Sequence, residues 1–190
     1  MLHGLLLAGG KSSRMGRDKN ELVFRGRTLL DHAVDMLMEA GVENVLISGD
    51  IPGYESLPDL IPECGPPGGV YSAVQHLAAN RVLDGSLLMV IPVDMPLLTA
   101  ETLSALVDNL EGADSVHYAG EVFPCVFRLT NYFNEYLMDI FREESTPGGI
   151  RSMKSLLRAF REKVVSIDGL DTNVFRNVNH PEEWKAIRDS

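Results

Sequence analysis

Residues 4–19 read GLLLAGGKSSRMGRDK. The apolar run at 4–8 predicts a short buried strand, and the adjacent glycines after it predict a tight turn. Backbone N–H groups in such a turn can face inward around an anion, and Lys11, Arg14 and Lys19 place positive charge close by. The stretch therefore predicts a phosphate-binding loop at the carboxyl end of a strand. The alternative is a plain strand-to-helix turn with solvated basic side chains.

Two common phosphate-binding motifs are absent from this loop. Gly10-Lys11-Ser12 fits the end of the P-loop pattern GxxxxGK[ST], but Leu5 stands where that pattern requires its first glycine. The dinucleotide pattern GxGxxG is also missing. The loop therefore predicts neither a P-loop NTPase nor a Rossmann oxidoreductase.

Strands and helices alternate through the first half of the chain. Hydrophobic periodicity predicts strands at 4–8, 45–48 and 86–93, and helices at 29–38, 70–79 and 99–110, with a Pro/Gly-rich loop at 52–69. This alternation predicts parallel β-α-β units and a sheet covered on both faces. Ligands of such sheets bind beyond the carboxyl ends of the strands. We therefore expect the glycine loop, the segment after Ser48 and Asp94 at one edge of the sheet.

The second half of the chain has a less regular pattern. It predicts a hairpin over 114–128 that turns at Ala119-Gly120, helices at 132–142 and 151–160, a strand at 163–167 and a last helix that begins near Pro181. We expect the irregular stretch 112–128 to shape a ligand pocket.

Length and composition predict one ordinary α/β domain over residues 1–190. Apolar residues make up 45% of the chain and charged residues 23%, and no linker-like stretch divides it. The net charge of −10 argues against a nucleic-acid partner. No apolar run reaches the length of a membrane span. Cys64 and Cys125 are isolated in sequence, which argues against a CxxC motif and favours reduced thiols in the cytoplasm.

Three further motifs carry candidate site residues. Asp94 follows the third predicted strand in Asp94-Met95-Pro96, where a carboxylate could hold Mg²⁺ together with phosphate oxygens, or could merely cap a turn. The stretch GPPGG at 65–69 predicts a shaped loop near a ligand, or a simple loop, and Asp59 precedes it. In Asn177-Val178-Asn179-His180-Pro181 the two asparagines would share one side if the chain is extended. The spacing alone favours a helix entry there.

Taken together, these motifs resemble the molybdenum cofactor guanylyltransferase family. The family pattern LAGGxSxRMGxDK is matched at every fixed position between Leu7 and Lys19. The family's GPLAG loop corresponds to GPPGG at 65–69, its D-x-P motif to Asp94-Met95-Pro96, and its NxNTP motif to NVNHP at 177–181. The motifs occur in the family's order over most of the chain.

The resemblance implies a three-layer, Rossmann-like nucleotidyltransferase fold of the α/β class with a mostly parallel sheet. It implies transfer of GMP from GTP to molybdopterin or Mo-molybdopterin, with Mg²⁺ held by Asp94 and release of pyrophosphate. Molybdoenzymes or their chaperones would then receive the product. The implied catalytic residues are Arg14, Lys19 and Asp94. The implied nucleotide-binding residues are Leu7, Ala8, Gly9, Gly10, Lys19, Ser48, Asp59, Gly65 and Asp94. Asn177 and Asn179 would lie on the pterin side.

Three other functions stay open on the sequence. A sister cytidylyltransferase would use CTP on the same pterin, although Gly9-Gly10 favours the guanylyl branch because the sister branch more often has Ala-Gly. A sugar-1-phosphate nucleotidyltransferase would usually be a longer chain. A catalytically silent nucleotide-binding adaptor would not need both Lys19 and Asp94.

Overall fold

The computed structural model describes residues 1–9, 19–83, 85–142 and 152–188. Within these ranges the strands are Leu2–Leu7 (β1), Val23–Phe24 (β2), Arg27–Thr28 (β3), Asn44–Ser48 (β4), Leu87–Pro92 (β5), Ser115–Tyr118 (β6), Cys125–Arg128 (β7) and Glu162–Val165 (β8). The α-helices are Leu29–Glu39 (α1), Gly65–Ala79 (α2), Ala100–Asn109 (α3), Asn131–Arg142 (α4), Met153–Arg158 (α5) and Pro181–Arg188 (α6). Short 3₁₀ turns lie at Lys19–Glu21 and Thr172–Phe175.

The central sheet has the strand order β4-β1-β5-β7-β6-β8. Strands β4, β1 and β5 are parallel neighbours, and β6 and β8 are parallel, whereas β7 is antiparallel to both β5 and β6. The helical crossovers α1 and α2 permit the parallel pairings, because parallel neighbours need a long connection. The tight turn at Gly120 (φ +83°) permits the antiparallel pairing of β6 with β7. The predicted, mostly parallel α/β sheet is therefore confirmed.

Side chains of the strands alternate between two apolar layers. Leu6 and Met89 face the layer that contains α1 and α3, whereas Leu5 and Leu88 face the layer that contains α2, α4 and α5. These four side chains are fully buried. Successive residues of a strand point to opposite faces, so unbroken apolar strands need helices on both sides. The predicted three-layer arrangement follows from this pattern.

The first turn of α2 corrects one prediction. The stretch at 65–69 was expected to be a loop ahead of a helix that begins at 70, but α2 begins at Gly65. Pro66 and Pro67 lie in its first turn, where the N–H groups have no partner within the helix, so proline costs nothing there.

Other predicted boundaries hold to within a few residues. The helix that follows Thr99 begins at Ala100, because the Thr99 hydroxyl accepts the backbone N–H of Thr102 as a cap. The last helix begins at Pro181, as predicted. The small β2–β3 hairpin and the turn at Thr172–Phe175 were not predicted, since neither has a distinct apolar period. None of the described helices is long and apolar enough to cross a membrane.

Candidate active site

The carboxyl ends of three parallel strands meet at one edge of the sheet. Leu7 at the end of β1 lies opposite Ser48 on one side and Pro92 on the other. This is the edge at which the sequence places its glycine loop and Asp94. A cleft of about 380 Å³ opens there. It is lined by Leu7, Ala8, Gly9, Lys19, Pro66, Pro92, Val93, Asp94, Phe123, Asn177 and Asn179.

Lys19 joins the two polar motifs of the cleft. Its Nζ donates to Asp94 Oδ2 at 2.9 Å and to Asn179 Oδ1 at 2.7 Å. The Lys19 and Asp94 side chains are 17% and 19% exposed, so water screens their attraction less than it would at the surface. The neighbouring Asn20 ties the 3₁₀ turn Lys19–Glu21 to the segment after β1, because its amide donates to the Ala8 carbonyl at 3.3 Å. The predicted residues Lys19 and Asp94 are thus brought into direct contact.

The segment around Asn177 and Asn179 reaches the cleft by pairing with the backbone of Asp94. The Val178 N–H donates to the Asp94 carbonyl at 2.7 Å, and the Val178 side chain is fully buried. Asn177 and Asn179 flank Val178, and both line the cleft. The segment is therefore both the helix entry that its spacing favours and a wall of the cleft.

Glu183 holds the backbone of this segment in place. Its Oε2 accepts the backbone N–H groups of Asn179 at 2.7 Å and His180 at 2.9 Å. The hydrogen bond from Asn179 N–H is the main cause that holds the pKa of Glu183 below its usual value. A glutamate in the first turn of a helix commonly receives such bonds, and the positive end of the helix dipole favours its charge.

Ser48 and Asp59 form a separate polar pair beside the cleft. The buried Ser48 hydroxyl donates to Asp59 Oδ1 at 3.1 Å, and the Leu57 N–H donates to the Ile47 carbonyl at 2.7 Å. The loop after β4 therefore folds back over the strand end. Neither Ser48 nor Asp59 lines the cleft that the described residues outline.

Two close backbone approaches bring the walls together. A Cβ on Gly49, whose φ is +116°, would lie 3.1 Å from Gly9 Cα. A Cβ on Gly69 would lie 2.9 Å from both Leu7 Cδ2 and Ser48 Oγ. Glycine at these positions lets the loop after β4 and helix α2 approach the end of β1.

Four more of the predicted site residues are not seen to line the cleft. Gly10, Lys11 and Arg14 lie outside the described residues. Gly65 begins α2 but is not among the cleft-lining residues, whereas Pro66, which follows it, is.

Phe123 is a cleft residue that sequence reasoning did not single out. It lies two residues before β7, within the stretch 112–128 that was expected to shape a pocket. Its aromatic ring next to Pro124 was the available signal. Its position could not be read from the sequence, because it depends on the antiparallel pairing of β7 with β5.

The donor set of the cleft fits one kind of metal site. Among the described residues, no group of three or more His, Cys, Asp or Glu side chains could hold a metal ion by itself. Asp94 offers one carboxylate beside the space that Leu7, Ala8 and Gly9 border. Mg²⁺ is typically bound by one or two carboxylates, with water and substrate phosphate oxygens completing its octahedron. The residues present fit such an ion when a phosphate ligand accompanies it.

Comparisons with known proteins identify the relatives of this chain. The family described as MobA-like NTP transferase domain matches residues 4–163. Molybdenum cofactor guanylyltransferase from Xanthomonas euvesicatoria pv. vesicatoria (strain 85-10) is 34% identical over 184 residues, which cover 97% of this chain and 93% of the relative.

Solved structures confirm the nucleotidyltransferase fold. Molybdopterin-guanine dinucleotide biosynthesis protein A from Archaeoglobus fulgidus superimposes with a TM-score of 0.74 at 18% identity, and 98% of this chain and 97% of that chain are covered. A manganese complex of Rv0371C from Mycobacterium tuberculosis H37Rv superimposes with a TM-score of 0.63 at 18% identity, with 100% and 98% covered.

Proposed function

The chain belongs to the MobA-like NTP transferase family, and from this we propose that it transfers GMP from GTP to molybdopterin or Mo-molybdopterin and releases pyrophosphate. The product is molybdopterin guanine dinucleotide. The observation that carries this proposal is the convergence of Lys19, Asp94 and Asn179 in a cleft whose floor is the end of β1.

The reaction needs positioning and charge neutralisation more than acid–base chemistry. An oxygen of the acceptor's terminal phosphate attacks the α-phosphorus of GTP. The bond from that phosphorus to the oxygen bridging the α- and β-phosphates breaks, and its electron pair leaves with pyrophosphate. The attacking phosphate is already ionised at neutral pH, so no strong general base is required.

The cleft residues divide these tasks. The backbone of Leu7, Ala8 and Gly9 borders the nucleotide, and Lys19 donates to its phosphates, with Arg14 and Gly10 assigned to the same loop. Asp94 would hold Mg²⁺, which would neutralise phosphate charge and orient the leaving pyrophosphate. Ser48, Asp59 and Gly65 are assigned to the nucleotide side, and Asn177 and Asn179 to the pterin side.

The wider setting follows from the same proposal. Residues 1–190 act as one catalytic domain, since Val178 and Ile187 near the chain's end are buried in the core beside β1. We place the enzyme in the cytoplasm, because Cys64 and Cys125 are both free thiols. Molybdoenzymes or their chaperones would take up the product.

Pyrophosphate release with molybdopterin, Mg²⁺ and each of GTP, CTP, ATP and UTP tests the proposal. GTP should be preferred, and the product should contain GMP joined to the pterin phosphate. A preference for CTP would instead make the protein a cytidylyltransferase, and binding of GTP without pyrophosphate release would make it a silent adaptor.

Two variants test the residue roles. Asp94→Asn should lower kcat by about 100-fold or more, because the carboxylate that would hold the charge-neutralising Mg²⁺ is lost. Lys19→Ala should weaken GTP binding in calorimetry. Asp108→Asn, an exposed aspartate on α3, is the matched control and should behave as wild type. Full turnover by Asp94→Asn would contradict the assignment of Asp94.

A further inference from the structure

Four strand ends define a line across the reactive edge of the sheet. Ser48 ends β4, Leu7 ends β1 and Pro92 ends β5, and register pairs each with the next. Strand β7 enters the sheet at Cys125, opposite Val90, so the preceding Phe123 lies beside the carboxyl end of β5. Three strand spacings, about 14 Å in total, therefore separate the β4 end from the β7 end.

The two ends of this line differ in chemistry. The β4 end is polar, since it carries the Ser48–Asp59 hydrogen bond beside the cleft. The β7 end carries Phe123, which lines the cleft. Phe123 is partly buried and packs against the apolar clusters of both sheet faces, so its ring is held in place before any ligand arrives.

The charged groups lie between these two ends. Asp94 follows β5 by two residues, and Lys19 bonds to it. The α-phosphorus must be near these groups, and in-line displacement requires the entering and leaving oxygens to lie on opposite sides of it. A nucleotide whose base lies toward β4 therefore leaves the β7 end of the cleft to the acceptor.

From this arrangement we infer that Phe123 stacks against the flat aminopyrimidinone ring of the acceptor's pterin, an inference that rests on the proposed function. The aminopyrimidinone ring of that pterin is flat, so a phenyl ring held in place is a suitable stacking partner for it. Asn177 lines the same cleft and supplies amide groups for the polar edge of such a ring. Phe123 thus sets the preference for the acceptor, whereas the β4 end sets the preference for the nucleotide.

Steady-state guanylyl transfer by the full chain, with GTP, Mg²⁺ and molybdopterin varied separately, tests the inference. Phe123→Leu should raise KM for molybdopterin by about tenfold, because it loses an aromatic stacking partner. Its KM and dissociation constant for GTP should stay within about twofold of wild type. Phe123→Tyr keeps the aromatic face and should restore the acceptor KM.

Phe141→Leu is the matched control. Phe141 is also partly buried and stacks on Tyr71 with ring centroids 4.7 Å apart, but it lies on α4 and does not line the cleft. This variant should leave both KM values unchanged. Phe123→Met, whose longer, unbranched side chain adapts to irregular space and has no aromatic face, repeats the test if Phe123→Leu does not fold.

The outcomes separate the inference from the proposed function. An unchanged acceptor KM in folded Phe123→Leu or Phe123→Met, with wild-type transfer intact, would overturn the inference alone. A raised dissociation constant for GTP with an unchanged acceptor KM would assign the ring to the base and would also overturn it. Absence of GMP transfer by the wild-type protein would overturn the proposed function and the inference with it.

Discussion

At the scale of single residues, Lys19 connects parts of the cleft that are far apart in the sequence. Its ammonium group joins Asp94 and Asn179, which lie 75 and 160 positions further along the chain. Because these are charge-assisted or strong amide hydrogen bonds in a partly buried setting, they fix the direction of a side chain that is otherwise flexible. One lysine thereby organises the polar half of the cleft.

His3 provides a pH-dependent test of the core. It is 2% exposed on β1, and neither ring nitrogen has a hydrogen-bond partner among the described residues. Burial, reinforced by the amino-terminal charge and opposed by Glu43, lowers the pKa of His3. The unfolded chain, with a histidine pKa of about 6.5, therefore binds the proton more readily than the folded protein.

This difference fixes the sign of the pH effect. The free energy of unfolding should fall as the pH drops below about 6.5. Above that pH the contribution that depends on neutral His3 should be complete, and the free energy should no longer change on its account. Urea unfolding across this range should show a smaller pH dependence in His3→Leu than in wild type. His76→Gln, at an exposed position of α2, is the control and should keep the wild-type dependence. Equal slopes for wild type and His3→Leu would contradict the prediction.

Among secondary-structure elements, helices α2 and α6 both begin at the edge of the cleft. Helix α2 brings Pro66 to the cleft. In the first turn of α6, Glu183 accepts the backbone N–H of Asn179, which lines the cleft. The first turn of each helix therefore sets the position of a cleft wall.

Gly69→Ala tests the approach of α2. Alanine favours the helix by about 1 kcal/mol, but the new methyl group would meet Leu7 Cδ2 and Ser48 Oγ at 2.9 Å, and such overpacking costs about 1–3 kcal/mol. We expect a net loss of stability and a weaker affinity for GTP, measured by urea unfolding and calorimetry. Gly112→Ala, which meets nothing within 4 Å, should leave the GTP affinity unchanged.

Glu183→Ala tests the entry of α6. The loss of two hydrogen bonds to backbone N–H groups should lower the free energy of unfolding by about 0.5–2 kcal/mol. It should also lower kcat, because Asn179 loses the anchor that holds its side chain toward Lys19. The neighbouring Glu182→Ala removes a charge from the same turn and should retain wild-type kcat. An unaltered kcat in Glu183→Ala would show that the cleft does not depend on this anchor.

In the whole molecule, the last part of the chain packs against elements that come much earlier in the sequence. Phe175 packs its ring against Tyr118 at 5.0 Å, and Trp184 meets Phe24 of β2 at 6.1 Å. The Val178 N–H bonds to the Asp94 carbonyl between these contacts. The C-terminal segment is therefore part of the core as well as a wall of the cleft.

A chain that ends at Gly169 should not fold stably. It loses the buried side chains of Phe175, Val178 and Ile187, each of which contributes about 1.5–3 kcal/mol. Their sum approaches the whole stability of a typical domain, about 5–15 kcal/mol. Circular dichroism during heating should show no cooperative transition for the shortened chain. A melting curve like that of the full chain would contradict this view of the core.

The sequence by itself determined the alternation of strands and helices and the identity of most cleft residues. The apolar run before Asp94 and the helix cap at Thr99 each depend on a few neighbouring positions. Such local features can be predicted from composition and spacing. The prediction that the glycine loop, the segment after Ser48 and Asp94 share one edge of the sheet follows from parallel strands alone.

Only the tertiary structure decided the strand order beyond β5, the start of α2 and the contacts that complete the cleft. Pairing of β7 with β5 places Phe123, and the return of the C-terminal segment places Asn179 against Lys19. These contacts join residues far apart in the chain, and they form only when apolar faces of distant elements are buried together. Local hydrophobic periodicity does not predict these long-range contacts, because the free energy that stabilises them comes from the assembled core.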